Sequence, residues 1–303
     1  MPLPSDEKLI RLGKDLLEQF DTIFGQHPGF RPAHAKGVLL TGTFTPAAEA
    51  SSLTRAPHVA RDATPVTARF SDGTGLPMIP DNDPNANPRG LAIRFHLADH
   101  VHTDIISHSS DGFPARNGQE FLEMLRAVAA SRSAKASPSP IEMFLGTHPA
   151  ALAYVQMPKP SPASFAKEAY FNITALRFIN RDGVARYGRY RITPEAEVEH
   201  LDEAAAKGKD PNYLFDELNE RIGRGPIRFE IHVQVANGGM WWTTPRSTGP
   251  ATGGSFLSER LFSPERLPTT HSSRSGLFST RFRGWTASNR PMTRCSNCER
   301  RFI

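Results

Sequence analysis

The stretch IRFEIHVQV (residues 227–235) alternates apolar and polar residues without a break, which is the pattern of a β-strand with one buried face. Two further strands flank an Asp182–Gly183 turn in the stretch ITALRFINRDGVARYGRYRIT. Four more strand-like runs lie upstream, at residues 37–46, 64–71, 89–97 and 103–109. Strands that follow one another directly, with helices grouped between them, predict an antiparallel sheet with added helices. The predicted fold class is therefore α+β.

Three helices are predicted around these strands. Residues 5–24 repeat apolar side chains at helical spacing, with Ser5 as the predicted N-cap. Asn117, followed three residues later by Glu120, predicts a capping box at the start of a second helix. A third helix is predicted at residues 211–225, where a proline stands at the start and a glycine near the end.

The charge of the chain is unevenly placed. The formal net charge is +5, but residues 240–303 carry ten Arg against three Glu, which leaves the first 239 residues at −2. A near-neutral body does not predict a nucleic-acid-binding face. No window approaches the ~18 apolar residues of a membrane span. The N-terminal residues also lack the apolar core of a signal peptide. Because both cysteines lie in the tail, no disulfide framework is indicated. We therefore expect a cytoplasmic protein that binds neither nucleic acid nor membrane.

Three polar residues near the first strands are candidates for chemistry. His34 comes just before a strand, in RPAHAKG, and Arg69 and Ser71 share one face of the next strand, because residues two apart point the same way. Spacing alone favours a structural role for these residues over a catalytic one. A histidine in this position is more often a structural hydrogen-bonding residue than a catalyst.

Several motifs in a fixed order change this interpretation. RPAHAKG, TPVTARFS, DPNANPRGLAIRFH and TDIISHSSDGFP follow one another, and DPNYLFDELNERIGRGPIRFEIHVQV comes later. Together these residues, from about 27 to 239, resemble the haem catalases, and most closely their short branch, the catalase-related peroxidases. The resemblance implies an eight-stranded antiparallel β-barrel with helices that encloses haem b. It divides the chain into an N-terminal helix (1–26), a haem-binding core (27–239) and a basic tail (240–303).

The resemblance assigns roles to four residues around the haem. His34 matches the family's distal histidine, a general acid/base that moves a proton between the two peroxide oxygens. Ser71 matches the serine that hydrogen-bonds this imidazole and fixes its tautomer. Arg31 and Arg69 match arginines that pair with the haem propionates, a task suited to a planar guanidinium.

Three more positions around the distal face follow from the resemblance. Phe113 and Phe121 match aromatic residues packed over the haem, although without the family they would be read as ordinary core. His108 stands where the family has an asparagine that helps to hold peroxide. A second titratable group in a dry pocket is expected to alter the handling of peroxide. Short members of the family generally favour peroxidation of organic donors over rapid dismutation of hydrogen peroxide, and the histidine fits that tendency. The alternative is that His108 points away from the pocket.

Three other patterns carry little weight. His96, His100 and His102 are expected in a solvated turn, because spacing fixes no carboxylate partner for a metal site. The CSNC stretch at residues 295–298 lacks the second cysteine pair of a zinc site. Arg186 and Tyr190 imitate an R-x-x-x-Y motif but lie in a predicted strand.

The composition of the chain changes at Met240. All three Trp lie beyond Gly239, in a stretch without Lys, Asp, Val or Tyr. The stretch MWWT at residues 240–243 can be encoded only by ATG TGG TGG ACN. The frame that starts one base earlier then reads Val-Val-Asp, and the family continues with a similar segment at this point.

The same hidden frame is compatible with family motifs at the far end of the tail. Residues 283–294 permit a catalase-like run with two forced aspartates. The family's R-x-x-x-Y motif, whose tyrosinate ligates the haem iron, would then fall near Phe302 and Ile303. We therefore interpret residues 240–303 as the product of a single frameshift near codon 239, in the gene or in its sequencing.

Two other interpretations stay open. The tail is either this artefact or a genuine basic segment that binds nucleic acid or a membrane surface. If the chain is made as written, it is an inactive, truncated catalase-like protein that lacks the last strand, the proximal helix and any metal ligand. Otherwise the protein is a haem-dependent peroxidase, with weak catalase activity, that reduces hydrogen peroxide with a small organic donor. The sequence does not indicate an oligomeric state.

Overall fold

A computed structural model describes residues 5–236 of the chain. The helices in this range are α1 (Glu7–Phe24), α2 (Ala50–Leu53), α3 (Gly118–Ser131), α4 (Pro140–Thr147), α5 (Pro149–Gln156), α6 (Glu203–Lys207) and α7 (Tyr213–Arg224). The strands are β1 (Gly37–Phe44), β2 (Thr64–Ser71), β3 (Gly90–Ala98), β4 (Val101–His108), β5 (Ser161–Pro162), β6 (Tyr170–Phe171), β7 (Leu176–Ile179), β8 (Ala185–Pro194), β9 (His200–Leu201) and β10 (Phe229–Val235). None of the helices described is long and apolar enough to cross a membrane.

Eight of these strands form one curled antiparallel sheet in the order β1-β2-β3-β4-β6-β8-β10, with β7 also paired to β8. β8 is ten residues long, so β7 pairs with its first half and β6 with its second half. β5 and β9 form a separate two-stranded sheet. The antiparallel α+β fold predicted from the sequence is confirmed.

The sheet is a half-barrel rather than a closed barrel over the part of the chain that the structure describes. β1 and β10 stand at its two ends, and between residues 5 and 236 no strand joins them. The predicted loss of the last strand and of the proximal helix concerns residues 240–303, which lie outside the described residues. It stays a prediction.

Alternation along β2 produces two different faces. Val66, Ala68 and Phe70 belong to the main hydrophobic core, whereas Arg69 and Ser71 lie on the opposite face. Phe70 is fully buried, and burial of such a side chain contributes about 1.5–3 kcal/mol. The core therefore fixes which side of the sheet the polar residues occupy.

α7 covers one end of this core. Leu214, Leu218 and Ile222 recur at helical spacing and pack in the same cluster as Phe229 of β10. The predicted helix at 211–225 is thus confirmed, with its end at Arg224 rather than at the earlier glycine.

The starts of two predicted helices differ in detail from the expectation. Asp6, not Ser5, caps α1, because the Asp6 carboxylate accepts a backbone N–H of the first turn. Asn117 caps α3 as predicted and accepts from the Glu120 N–H at 2.9 Å. The Glu120 carboxylate accepts instead from the Arg116 N–H at 2.6 Å, so the box is shifted by one residue.

The sequence did not predict α4 and α5, which lie in the Pro- and Ser-rich residues 137–164. Both helices carry a proline in their first turn, at Pro140 and Pro149, where its missing N–H costs no intrahelical hydrogen bond. A capping box between Ser139 and Glu142 starts α4. The prolines here begin helices rather than break them.

Candidate active site

His34 and Ser71 meet at one end of the sheet. The His34 Nδ1 and the Ser71 Oγ share a hydrogen bond of 3.1 Å. His34 has a φ of 51°, a left-handed conformation that few residues other than glycine adopt. The Arg69 guanidinium donates to the His34 carbonyl at 2.8 Å and holds this backbone conformation. The structure thus brings His34, Ser71 and Arg69 together, and their functional roles stay a prediction.

Strand register places Ser71, Gly90 and His108 in one row, called the polar row below. Ser71 of β2 pairs with Gly90 of β3, and Gly90 pairs with His108 of β4, so all three lie on the same face. A Cβ on Gly90 would stand 2.5 Å from the Ser71 Oγ and 2.9 Å from the His34 Nδ1. Only glycine leaves room for the imidazole to reach the serine across this row.

The surroundings of His34 keep its imidazole neutral. The pKa of His34 is lowered to about 3, first by burial and then by the charges of Arg69, His108 and Arg31, while a hydrogen bond to the Asp72 backbone raises it. A neutral imidazole at physiological pH has a free lone pair and is able to accept a proton.

Arg31 and Arg69 bring two positive charges to the edge of the site. Burial lowers the pKa of Arg69 well below its usual value, Arg31 lowers it further, and Asp72 opposes the shift. Two guanidinium groups that repel each other in a buried position are suited to binding an anion, since carboxylates and phosphates relieve the repulsion.

His108 is fixed as a neutral hydrogen-bond donor. The Ser110 N–H donates to the His108 Nδ1 at 3.2 Å, so the ring proton belongs on Nε2. Burial lowers the pKa of His108 to about 4, although Asp111 and the Ser110 backbone raise it. Its Nε2 is buried and has no hydrogen-bond partner among the described residues. Of the two expectations for His108, the row with Ser71 favours the one in which it belongs to the site.

Aromatic side chains form a wall beside His108. The ring centroids of Phe113 and Phe121 lie 4.9 Å apart, and that of Phe113 lies 6.4 Å from the His108 ring. Phe121 also contacts Phe20 of α1 at 6.0 Å and so joins the packing between α1 and α3. Both rings are only half-buried, which leaves an apolar surface next to the polar row.

The four tyrosines Tyr154, Tyr170, Tyr190 and Tyr213 are held in their protonated form. The Tyr170 hydroxyl donates to the Phe165 carbonyl, and the Tyr213 hydroxyl donates to the Pro162 carbonyl. Burial raises the pKa of both side chains, and the pKa values of Tyr154 and Tyr190 are raised by the same cause. Residues 5–236 hold no group of three or more His, Cys, Asp or Glu suited to a metal ion.

The other patterns noted in the sequence take structural roles or lie outside the described residues. His96 ends up on β3 and His102 on β4, so only His100 lies in the turn that was expected for all three. The His96 Nε2 shares a hydrogen bond of 2.8 Å with the Thr67 hydroxyl. Tyr190 lies in β8 as predicted, and the CSNC stretch is outside residues 5–236.

Sequence reasoning missed two parts of the site. Gly90 was not singled out, although its place in the NPRG stretch directly before a strand is a signal for a close approach. A buried set of charges formed by Lys36, Asp72, Asp81 and Arg89 was also missed. Charged residues spread over 54 positions carry no local pattern that brings them together.

A family model described as Catalase matches residues 16–240, which is most of the chain. The chain belongs to the catalase family. It is similar to a catalase-related peroxidase of Mycolicibacterium paratuberculosis, with 37% identity over 215 residues, 70% of this chain and 67% of the relative. It is also similar to a catalase-related peroxidase of Synechococcus elongatus, with 28% identity over 240 residues, 78% of this chain and 70% of the relative.

Solved structures support the fold independently. Catalase A from Saccharomyces cerevisiae superposes with a TM-score of 0.69 at 18% identity, covering 89% of this chain and 57% of that chain. A fungal catalase superposes with a TM-score of 0.68 at 17% identity, covering 88% of this chain and 55% of that chain. The chain thus spans little more than half the length of these two catalases, and the match shows the fold.

Proposed function

We propose that the described residues carry the distal side of the haem pocket of a peroxidase that, in its intact reading frame, reduces hydrogen peroxide with a small organic electron donor. The observation that carries the proposal is the hydrogen bond of 3.1 Å between the His34 Nδ1 and the Ser71 Oγ, in a member of the catalase family. The peroxidase names of the two relatives support the same reaction class.

The residues of the site suit haem b. Arg31 and Arg69 supply two guanidinium groups for the two propionates, and the half-buried rings of Phe113 and Phe121 offer an apolar wall for the porphyrin. Gly90 keeps the surface between the two histidines free of side chains. When bound, haem supplies the redox-active iron through which two electrons pass from the donor to peroxide.

In this proposal His34 moves the proton. Its Nδ1–H donates to the Ser71 Oγ, which leaves the lone pair of Nε2 free. Nε2 accepts a proton from the near oxygen of hydrogen peroxide and returns it to the far oxygen. The O–O bond then breaks heterolytically and the far oxygen leaves as water, while the near oxygen leaves as a second water after it takes up two electrons and two protons from the organic donor. Because the pKa of His34 is held at about 3, the base is available over the whole neutral range.

His108 complements His34 in this scheme. Its Nε2–H is a buried donor without a partner in the described chain, directly across Gly90 from Ser71. A peroxide oxygen that accepts this hydrogen bond satisfies the donor and is held beside the base.

The proposal includes a ligand to the iron that the described residues do not supply. We propose that the reading-frame break near codon 239 replaces this ligand, because the hidden frame is compatible with the family's R-x-x-x-Y motif near Phe302 and Ile303. The chain as written is then expected to bind haem weakly and to have negligible peroxidase activity.

Two forms of the protein test the function directly. Both the chain as written and the frame-restored chain are reconstituted with haem, and the Soret absorbance and peroxide-dependent oxidation of a dye are measured. Only the restored chain is expected to show both. Full haem occupancy and turnover in the chain as written would show that another residue ligates the iron. Resequencing the gene across codons 235–245 tests the frameshift itself.

His34→Ala in the restored chain is the test of the mechanism. Turnover is expected to fall by roughly 10²–10⁴-fold, the usual scale for a positioned acid/base, with unchanged haem occupancy. The matched control is His200→Ala, which removes a histidine that contacts Glu168 at 3.2 Å, away from the site. Equal turnover of the His34 variant and the control would rule out the proton-transfer role.

A further inference from the structure

A buried charge cluster adjoins the candidate site. It consists of Lys36, Asp72, Asp81 and Arg89, of which the last three are completely buried. Arg89 forms an ion pair with Asp72 and donates to the Asp81 carbonyl at 2.6 Å. Lys36 forms an ion pair with Asp81, and its Nζ lies 3.9 Å from the Asp72 Oδ2. Two cations and two anions thus share one enclosed space.

The cluster is tied to the site residues through the chain itself. Lys36 follows His34 by two residues, Asp72 follows Ser71, and Arg89 precedes Gly90. Asp72 lies directly after the end of β2 and Arg89 directly before the start of β3, so both residues stand at the strand ends that carry Ser71 and Gly90.

Backbone hydrogen bonds extend the connection. The Asp72 N–H donates to the Lys36 carbonyl at 3.1 Å, and the Arg89 N–H donates to the Ser109 Oγ at 3.0 Å. Ser109 directly follows His108 and donates its own N–H to the Arg89 carbonyl at 2.8 Å. Every residue of the polar row therefore has a chain neighbour that is held by the cluster.

The charges depend strongly on one another. Burial raises the pKa of Asp72 to about 7, while the neighbouring charges of Arg89 and Lys36 oppose the rise and that of Asp81 adds to it. Removing one partner of a buried ion pair leaves an uncompensated charge, which is far more costly than the loss of a surface pair. The Asp72 Oδ2 has no hydrogen-bond partner in the described chain, so this oxygen depends on the charges of Lys36 and Arg89, with Arg69 of the site also acting on the carboxylate.

We propose that the charge cluster is a positioning unit for His34: it holds residues 34–36 against the end of β2 and the start of β3, and so keeps the His34 imidazole in one tautomer on Ser71. The inference rests on the proposed acid/base role of His34. Lys36, Asp72, Asp81 and Arg89 act as positioning residues and do not touch the substrate.

The test measures the tautomer of the His34 imidazole rather than enzymatic activity. The full chain is labelled with ¹⁵N-histidine, and the imidazole nitrogen shifts of His34, assigned with His34→Gln, report its tautomer. The spectra are recorded at about pH 8, where Asp72 is ionised and His34 neutral. Asp72→Asn keeps the size of the side chain and removes its charge. The matched control is Asp104→Asn, which breaks the ion pair of Arg94 and Asp104, with both hydrogen bonds at 2.9 Å, on the same sheet.

One tautomer is expected in the wild type and in Asp104→Asn. In Asp72→Asn the minor tautomer is expected to rise roughly tenfold, the scale of coupling within one charge network. An unchanged His34 signal in folded Asp72→Asn would overturn the inference, as would an equal effect in the control. A wild type with two equally populated tautomers would contradict the proposed function instead, because the bond to Ser71 would then not select one form.

Lys36→Gln is the second variant, used if Asp72→Asn does not fold. Lys36 is partly exposed, and the Leu214 N–H still donates to the Asp81 Oδ2 at 2.8 Å after its replacement. The same rise of the minor tautomer is expected. Loss of the folded state in both variants would overturn the inference, because the cluster would then hold the whole fold rather than the site.

Discussion

Gly90 sets how closely His34 and Ser71 approach each other. We expect Gly90→Ala to destabilise the protein by about 1–3 kcal/mol, the usual cost of overpacking, because its Cβ would stand 2.5 Å from the Ser71 Oγ. Urea unfolding followed by circular dichroism measures the change, and the His34 nitrogen shifts report the broken bond.

The matched control is Gly223→Ala in α7. A Cβ on Gly223 meets no atom within 4 Å, so this variant is expected to gain about 0.5–1 kcal/mol from helix propensity. A neutral Gly90→Ala beside a stabilised Gly223→Ala would mean that the row of site residues relaxes freely. The close approach of Ser71 and His34 to Gly90 would then place no constraint on the free energy of unfolding.

At the scale of single elements, the cap of α3 allows a direct test. The Asn117 side chain accepts the Glu120 N–H at 2.9 Å, and α3 carries Phe121 into the aromatic wall. Asn117→Ala is expected to cost about 1 kcal/mol of unfolding free energy, measured by urea denaturation.

Asn212→Ala is the comparison for this prediction. Asn212 stands at the start of α7 but makes no side-chain hydrogen bond to a helix N–H, so its replacement is expected to cost roughly half as much or less. Equal losses in both variants would indicate that capping is not the cause.

The strands of the sheet could be predicted because the alternation of apolar and polar residues that marks a strand lies within a short window of sequence. Strict alternation identified β10, and β2 was placed from Thr64 to Ser71 as observed. α4 and α5 were missed because their prolines resemble breakers, whereas Pro140 and Pro149 stand in first turns. Composition alone does not distinguish a proline that starts a helix from one that ends it.

The site was predictable only in part for a similar reason. His34 and Ser71 follow from motifs in the chain, since their spacing is shared with a family. The charge cluster depends on contacts such as that between Lys36 and Asp81, 45 residues apart, which no window of sequence contains. Its members are charged residues, which are usually exposed, so sequence reasoning assigns them to the surface.

For the whole molecule, three histidines predict a pH-dependent stability. Burial lowers the pKa of His34 to about 3 and those of His58 and His108 to about 4. Through these three groups the unfolded chain binds more protons than the folded one below about pH 6.5, and their contribution to stability falls as the pH falls from there towards 4. Asp72, whose pKa is raised to about 7, acts in the opposite direction and offsets the loss from one of the three histidines. Each histidine contributes up to about 1.4 kcal/mol per pH unit.

Urea unfolding of the haem-free chain at about pH 7, 6 and 5 measures this slope. His58→Phe should reduce the slope by one proton, because His58 is buried against Phe95 with ring centroids 4.5 Å apart and is replaced by a ring of similar shape. A slope that is the same with and without His58 would contradict its assignment as a buried neutral group.

The ties between Lys36 and α7 also bear on when the site is assembled during synthesis. Lys36 donates to the Pro211 carbonyl at 3.3 Å, across 175 residues, and the Asp81 N–H donates to the same carbonyl at 2.8 Å. At about 5–20 residues per second, the ribosome adds Pro211 roughly 9–35 s after Lys36. A nascent chain that already contains His34, Ser71 and His108 thus cannot form all the contacts that position these residues until the segment that leads into α7 has been synthesised. Haem capture during translation would therefore follow the emergence of α7.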